Sequence, residues 1–477
     1  MASKRTWASY PATYQAREVA IIAEWIAVGE SGAIIGPHGS GKSNLLGFLS
    51  HRPEVLTPYL PPNYYQLAVV LVDLNNLPGS DLSTFYRIIL RALYESRSQF
   101  LAIQESLADT IETLYRDTAR ETDPFVTQSA LREALLAIQD NEARLVLVLD
   151  PFDRFVQTAN PQILDNLRGL RDSLKITLSY LVGIQQELAY LRDPTELGEL
   201  YQLLDLHGCW VGGMTAPDAR YVINNMLKAK GEPFKEAEIE QLIALTGGYA
   251  AFLKGASLWL TKVSPPPPFE RWLEALLAEP SLQHRLQALW QGLTGEEQLA
   301  LAELQALPDP KKSSPRYREF CQQYAKTLTR LQEKRICQIA EEWQIFSPLL
   351  GAYIQRLGLI EAGKIHHRER DDVILQGQRS LERELTPQDR RLLIYFLKNP
   401  QKVLSKDDIA RALWSDSEIS DQDKGIDDAR LHKAVSQLRR VLEKSEGSPC
   451  YLKTVHGVGY RFFPEGAPRN KKMEGFE

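Results

Sequence analysis

Cysteine is scarce in this chain. Four occur in 477 residues, at Cys209, Cys321, Cys337 and Cys450, too far apart for the paired spacing of a zinc site or for a small disulfide-stapled domain. They read as reduced, packing thiols. No run of about 18 apolar residues is present to span a bilayer, and the opening MASKRTWASYPATYQ has no apolar stretch resembling a secretory signal. A cytoplasmic location without a membrane partner is the expectation. Positive charge is not in excess either: 56 Lys and Arg face 61 Asp and Glu, a net charge of −5. Nothing therefore attracts a polyanion to the molecule as a whole, and any nucleic-acid site has to be built from locally concentrated cations. No internal repeat is visible, which argues against a solenoid or propeller.

What is present is ordinary in amount and ordered in arrangement. Apolar residues make up 44% and charged residues 25%, a composition typical of folded domains. At roughly 100 to 200 residues per domain, the length implies several domains in series. Up to about residue 188, short apolar runs at 33–36, 67–73, 144–150 and 176–184 alternate with helical stretches. Each run is nearly continuous in apolar residues, as a parallel strand covered on both faces must be. The expectation is a multidomain α/β chain whose first 214 residues form a three-layer α/β/α core on a parallel sheet.

Three helical stretches, TAPDARYVINNML, KEAEIEQLIALTGG and YAAFLKGASLWL, suggest a helical lid over 215–262. SPPPP at 264–268 cannot continue a helix and reads as a linker. Helices at 293–307 and 327–334, β runs at 336–339 and 344–346, and a helix opened by Ser347-Pro348 suggest a first winged-helix-like domain within 263–380. Residues 362–382 are polar and read as a bridge. A second winged helix follows over 381–466, and 467–477 form a polar tail.

Gly36-Pro37-His38-Gly39-Ser40-Gly41-Lys42-Ser43 satisfies G-x-x-x-x-G-K-[ST] between a strand run and a helical stretch beginning at Asn44. Such glycines let successive backbone N–H groups curl around phosphate oxygens at the positive end of a helix. Lys42 is placed to reach the β and γ phosphates of ATP or ADP, and Ser43 to coordinate Mg²⁺. The run 145–149 ends at Asp150, the arrangement that holds Mg²⁺ beside a P-loop. The next position, where a carboxylate usually activates the attacking water, is Pro151, which offers no base. Asp153 can substitute only if the turn bends back toward the phosphates. Nucleotide binding with slow or absent turnover is the expectation.

The segment Tyr14-Gln15-Ala16-Arg17-Glu18, the P-loop, the LVLVLD strand, LRGLRDSLKITLSYLVGIQQEL and LTGGYA together resemble the STAND and AAA-like signalling ATPases over roughly residues 10–260. The resemblance implies a nucleotide held among sheet domain, lid and a following winged helix, so that exchange of ADP for ATP acts as a switch. Gln185 is then a candidate γ-phosphate sensor, and Arg168 and Arg171 are candidate fingers for a neighbouring subunit in a nucleotide-dependent homo-oligomer. All three also fit solvated or locally paired polar residues. Departures from the family pattern are Ala16 for glycine, Pro151 for the second acid, and Tyr249-Ala250 for His-Pro.

Near the C-terminus, Leu385-Thr386-Pro387, LSKDDI, Leu413-Trp414 and the closing TVHGVGYRF resemble the OmpR/PhoB class of winged-helix DNA-binding domains. The residues agree independently. Between 428 and 444, Leu431, Val435, Leu438 and Leu442 recur at three- and four-residue spacing, one buried helix face. Arg430, Lys433, Gln437, Arg440 and Lys444 recur on the opposite face, with Ser436 beside them. That stripe suits a major groove in double-stranded DNA, where Arg and Lys meet phosphates or guanine and Gln pairs with adenine. Gly457 and Gly459 permit a tight wing turn that brings Lys453 and His456 to the backbone. His456 stands where relatives often carry arginine, which weakens minor-groove contact. The acidic stretch 415–428 reads as a solvated loop or as a contact for a partner such as RNA polymerase.

The reading that joins the two ends is an ATP-dependent switch-type transcriptional regulator. The alternatives are a DNA-loading or mobile-element ATPase similar to replication initiators, and a defence-type switch with a protein partner.

Overall fold

The computed structural model describes every residue except 1–6, 63, 80, 228–233, 264, 308–314, 358–363, 369–371, 377–378, 383, 415–423, 444–450, 456–457, 465 and 467–477. It divides into two compact units. The first comprises Met1–Gly292 with Arg330–Gln338 and Phe346–Leu349, and the second Leu293–Thr329, Ile339–Ile345 and Leu350–Glu477.

The first unit is built on five strands: β1 (Gly32–Ile35), β2 (Gln66–Asp73), β3 (Ala143–Asp150), β4 (Leu178–Ile184) and β5 (Gly208–Trp210). They lie in the order β2-β3-β4-β1-β5, and every pair is parallel. β1 and β4 are buried along their whole length. Alternate residues of β3, Leu145, Leu147 and Leu149, enter one core with Phe85, Ile89 and Leu93 of the helix Leu82–Glu95 and with Leu131, Leu135 and Ile138 of Pro124–Asp140. The opposite face looks onto the helix Lys42–His51: a Cβ added at Gly183 would stand 2.9 Å from Leu46 Cδ1. Helices on both faces make the three-layer sandwich. Four strands match the apolar runs; β5 was not expected, because Gly-Cys-Trp has neither the length nor the β-branched content of a strand signal.

β1 sits where the strand order reverses, with β4 on one side and β5 on the other. In an open parallel sheet the crevice beyond the carboxyl ends at such a point is where ligands bind.

The helices Ala216–Leu227, Glu236–Thr246 and Ala250–Leu260 follow, the second ended by Gly247 and Gly248 at φ 60° and 71°, in the left-handed region that suits glycine. Two more helices, Trp272–Ala278 and Pro280–Gln291, belong to the same unit although the sequence reading set them after a linker. Leu282 lies against Gly255, and the Trp259 and Trp272 rings meet at 5.3 Å.

In the second unit, the helix Gly295–Ala306 opens with Thr294 and Glu297 in a reciprocal capping box. The helix Pro315–Gln323 comes next. Along the chain the helix Ala325–Glu333, the hairpin β6 (Cys337–Ile339) and β7 (Trp343–Ile345), and the helix Pro348–Arg356 complete the expected helices-then-hairpin order, with residues 330–338 and 346–349 belonging to the first unit.

The described residues within 362–382 correct the sequence reading, which made this stretch a polar bridge. β8 (Ile365–Arg368), β9 (Val373–Gln376) and β10 (Arg379–Ser380) form an antiparallel sheet. Its few apolar residues, Ile365, Ile374 and Leu381, enter the same core as Phe396, Ile409, Val435, Leu438 and Phe462. The polar residues between them mask a period-two pattern too short to notice. The rest of that domain is the helix Pro387–Lys398, β11 (Val403–Ser405), the helices Lys406–Leu413 and Lys424–Leu442, and the hairpin β12 (Leu452–Val455) and β13 (Gly459–Phe462). β13 lies between β11 and β12. Among the described residues no helix is long and apolar enough to cross a membrane.

Candidate nucleotide site and candidate nucleic-acid interface

The loop after β1 turns through Gly39 at φ 84° and Gly41 at φ 106°, a conformation that side chains with a Cβ rarely adopt. Gly36 is needed for a different reason: a Cβ there would fall 2.6 Å from Ser40 Oγ and 2.7 Å from the Val211 carbonyl. Pro37 lies buried within the loop and His38 is exposed. Lys42 opens the following helix, is buried, and donates from Nζ to the Gly36 carbonyl at 2.7 Å. Burial lowers its pKa, opposed by the Asp153 and Asp150 carboxylates. Ser40 is fully buried, and its hydroxyl has no hydrogen-bond partner among the described residues.

Asp150 ends β3 in register with Asp73 of β2. Its carboxylate crosses β4 at Gly183, where an added Cβ would lie 2.1 Å from Oδ1; only glycine leaves that path open. Burial raises its pKa above the usual carboxylate range, opposed by the nearby Ser43 hydroxyl and Lys42 ammonium. Oδ1 is buried without a partner among the described residues. The Asp150–Pro151 peptide is cis. Asp153 lies in the first turn of the helix Phe152–Thr158, and the turn does bring it back toward Lys42. Its Oδ1 accepts the Gln185 backbone N–H at 2.6 Å, and burial again raises its pKa. Gln185 is exposed just beyond β4.

The lid rests directly on this loop. Tyr249 donates its hydroxyl to the His38 carbonyl at 2.9 Å, and the Ala251 N–H bonds the Gly39 carbonyl at 3.0 Å. Asn44 faces the N-terminal segment: its Oδ1 accepts Trp7 Nε1 at 2.8 Å and its Nδ2 donates to the Tyr14 hydroxyl at 2.9 Å. The candidate finger arginines are engaged elsewhere. Arg171 donates to the Gly29 carbonyl at 3.1 Å, ahead of β1 and so at the amino end of the sheet, and Arg168 pairs with Asp172 at 2.6 Å. Sequence reasoning missed Gly183 and Asp73, and named Tyr249 only as a departure from the family pattern. The glycine was legible only as a break in an otherwise bulky strand.

In the C-terminal domain, Leu431, Val435, Leu438 and Leu442 are buried, while Arg430, Lys433, Ser436, Gln437 and Arg440 are exposed on the same helix. Arg430 lies over the Trp414 ring at 4.8 Å. Arg439 turns inward to the hairpin: it donates to the Leu452 carbonyl at 2.7 Å and to Thr454 Oγ1 at 2.8 Å. Lys453 is half-buried, its ammonium 5.8 Å from the Phe463 ring centre. Gly459 serves close packing, since a Cβ there would meet the Leu404 carbonyl at 2.0 Å. Lys444, His456 and Gly457 lie outside the described residues, as do 415–423 of the acidic stretch. The remainder of that stretch, from Lys424, is already helix.

Comparison with known proteins places residues 380–462 in the family described as transcriptional regulatory protein, C terminal. A transcriptional regulatory protein of Bacillus subtilis, YcbL, is 33% identical over 78 residues, 16% of this chain and 32% of that protein. The alkaline phosphatase synthesis regulator SphR of Synechococcus elongatus is 38% identical over 82 residues, 17% of this chain and 30% of that protein. The chain thus spans about a third of the length of these regulators. Among solved structures, the Walker-type ATPase of Pyrococcus abyssi shares 14% identity over 73% of this chain and 99% of its own, with a TM-score of 0.42. The Aeropyrum pernix ORC1 protein, solved in complex with DNA, shares 13% over 72% and 92%, with a TM-score of 0.36. This chain therefore joins a P-loop α/β fold to a winged-helix domain of the kind that ends bacterial transcriptional regulators.

Proposed function

We propose that this protein is a nucleotide-responsive DNA-binding regulator, with ATP or ADP and Mg²⁺ at the P-loop and double-stranded DNA at the last long helix. The observation that carries the nucleotide half is the convergence of Lys42, Ser43 and Asp150 at the carboxyl end of β1 and β3. The site fits a charged ligand. Ser40 Oγ and Asp150 Oδ1 are buried polar atoms without partners among the described residues, and the Lys42 ammonium rests on a carbonyl of its own loop. Lys42 would hold the β and γ phosphates, the glycine-loop N–H groups the remaining phosphate oxygens, and Ser43 with Asp150 the cation. Magnesium, when bound, neutralises the polyphosphate. Asp153 is the carboxylate in reach of that position, and the Gln185 N–H holds it in place.

The DNA half rests on the exposed row Arg430, Lys433, Gln437 and Arg440 on a helix whose other face is core, in a domain of regulator type. Anisotropy titration on duplexes selected from a random pool, with protein empty, ADP-loaded and ATP-loaded, tests the whole. The expected result is that affinity or assembly changes with nucleotide. Identical binding in all three states would leave two unrelated modules.

A further inference from the structure

Between the 3₁₀ helix Pro53–Tyr59 and β2, at the amino end of the sheet, lies an open groove of about 650 Å³. Leu60, Pro61, Pro62, Tyr64 and Tyr65 line it, and among its described lining residues Glu54 alone carries charge. The two tyrosine rings are fixed before any ligand arrives. They meet edge to face, 84° apart with centres separated by 5.8 Å. The Arg144 guanidinium lies 4.9 Å from the Tyr64 centre and 4.4 Å from the Tyr65 centre, and donates to the Tyr64 hydroxyl at 2.8 Å. Tyr65 still stays 45% exposed. Such a ring gains from burial and has little freedom left to lose on binding.

Fixed aromatic rings beside prolines suit one kind of ligand, a polyproline II segment, whose shape is also set before contact. The chain carries such a segment itself. Four prolines run from Pro265 to Pro268, and Pro268 has φ −55° and ψ 148°, within the polyproline II region. Pro267 is half-buried, its carbonyl accepting Trp272 Nε1 at 2.8 Å. At three residues per turn, Pro265 and Pro268 then share an outward face with Pro266 beside them. All three are exposed, as is Phe269 at 41%. Cations flank the segment, opposite in sign to the exposed Glu54. Lys262 already pairs with Glu279 at 3.5 Å, whereas Arg271 is exposed and makes no ion pair among the described residues.

Groove and segment belong to the same compact unit, yet no residue of 265–271 lines the groove. The two do not meet within one molecule, so the occupant has to come from another. We propose that the tyrosine groove before β2 takes the segment 265–269 of a second copy of this chain, with Glu54 set against Arg271. One surface of each copy then meets a different surface of the next. Every pair keeps a free groove at one end and a free segment at the other, so the assembly closes into a ring or continues as a filament. The groove is at the amino end of the sheet and the phosphate loop at its carboxyl end, so the contact does not depend on the nucleotide reading.

The test is sedimentation equilibrium of the full chain without nucleotide. A contact of this size is small, and self-association with a dissociation constant of about 10–100 µM is expected. A groove variant, Tyr65→Ala, and a segment variant carrying Pro265→Ser, Pro266→Ser and Pro268→Ser are each expected to weaken it by about tenfold or more. Mixed in equal amounts, the two variants are expected to form pairs with the parent's affinity and to stop there. The groove of one still takes the segment of the other, and the pair has no intact site left. Glu54→Lys and Arg271→Glu, both at exposed positions, are each expected to weaken association by about threefold and, together in one chain, to restore it. If Tyr65→Ala does not fold, the proline variant and the charge swap decide. A parent that stays monomeric to about 1 mM overturns the proposal. So does self-association that persists in either folded variant, a mixture that fails to pair, or a charge swap no tighter than its single substitutions.

Discussion

Asp150 sits at a strand end where burial opposes its charge. Desolvation pushes its carboxyl above the usual range, Asp153 and Asp73 push the same way, and the nearby Ser43 hydroxyl and Lys42 ammonium oppose them. With the folded pKa above the unfolded one, the associated stability is complete below the unfolded value of about 4 and is lost as pH rises through the folded value. Above that unfolded value the buried carboxyl costs the nucleotide-free protein stability. Asp150→Asn is therefore expected to melt higher than the parent at neutral pH without nucleotide, by about 2–4 °C for each kcal/mol relieved. The gain should shrink toward pH 4, and the stabilisation that MgATP gives the parent should be lost. Calorimetry across pH, with and without MgATP, checks both; a lower melting temperature at neutral pH would contradict the argument. Asp153 belongs at the same scale. Pro151 supplies no base and the Gln185 N–H occupies one Asp153 oxygen, so steady-state turnover is expected below about 0.1 s⁻¹, under the slow end of ordinary enzymes. Asp153→Asn should lower that rate by about tenfold or more while leaving ATP affinity intact. Faster basal turnover in a phosphate-release assay would show that another group activates water.

Among the elements, legibility followed the strength of the local signal. β1 to β4 were visible because a strand covered on both faces needs unbroken apolar runs, and the last long helix because a core face needs three- and four-residue spacing. β5 and the β8-β9-β10 sheet were not visible. Three residues, or alternation through His366, His367 and Arg368, leave too little apolar content to register, and tertiary packing decides them. The P-loop was legible as a motif because its chemistry needs glycine at fixed spacing. Gly183 matters through a neighbour far away in sequence, Asp150, so no local pattern could mark it. Gly459 tests the element scale directly. A methyl there meets the Leu404 carbonyl at 2.0 Å, so Gly459→Ala should cost the C-terminal domain about 1–3 kcal/mol, read as faster hydrogen exchange in β12 and β13. Unchanged protection would mean that β11 yields freely. On the last helix, Arg430→Ala with Arg440→Ala should weaken DNA binding and reduce the slope of log affinity against log salt by about 1.8, two phosphate contacts at about 0.9 each. An unchanged slope would move the interface off that face.

At the scale of the whole molecule, the question is whether the two chemistries are coupled. A ligand shifts an equilibrium only by its difference in affinity between two states, so a nucleotide that alters DNA binding must prefer one arrangement of the chain. Linkage makes the effect reciprocal: if ATP tightens DNA binding by some factor, DNA tightens ATP binding by the same factor. Couplings of this kind are typically about 1–3 kcal/mol, or 5- to 150-fold. Lys42→Ala separates coupling from mere adjacency, because it removes the buried ammonium of the P-loop while leaving the exposed row from Arg430 to Arg440 untouched. The variant is expected to lose ATP binding and to bind DNA with the affinity of the empty parent, whatever nucleotide is added. Titrating ATP into the parent with and without saturating duplex should then give two affinities whose ratio equals the ratio of DNA affinities with and without ATP. Unequal ratios would point to a second nucleotide site or to a change of assembly during the titration, and ratios of one would separate the two ends of the chain in function.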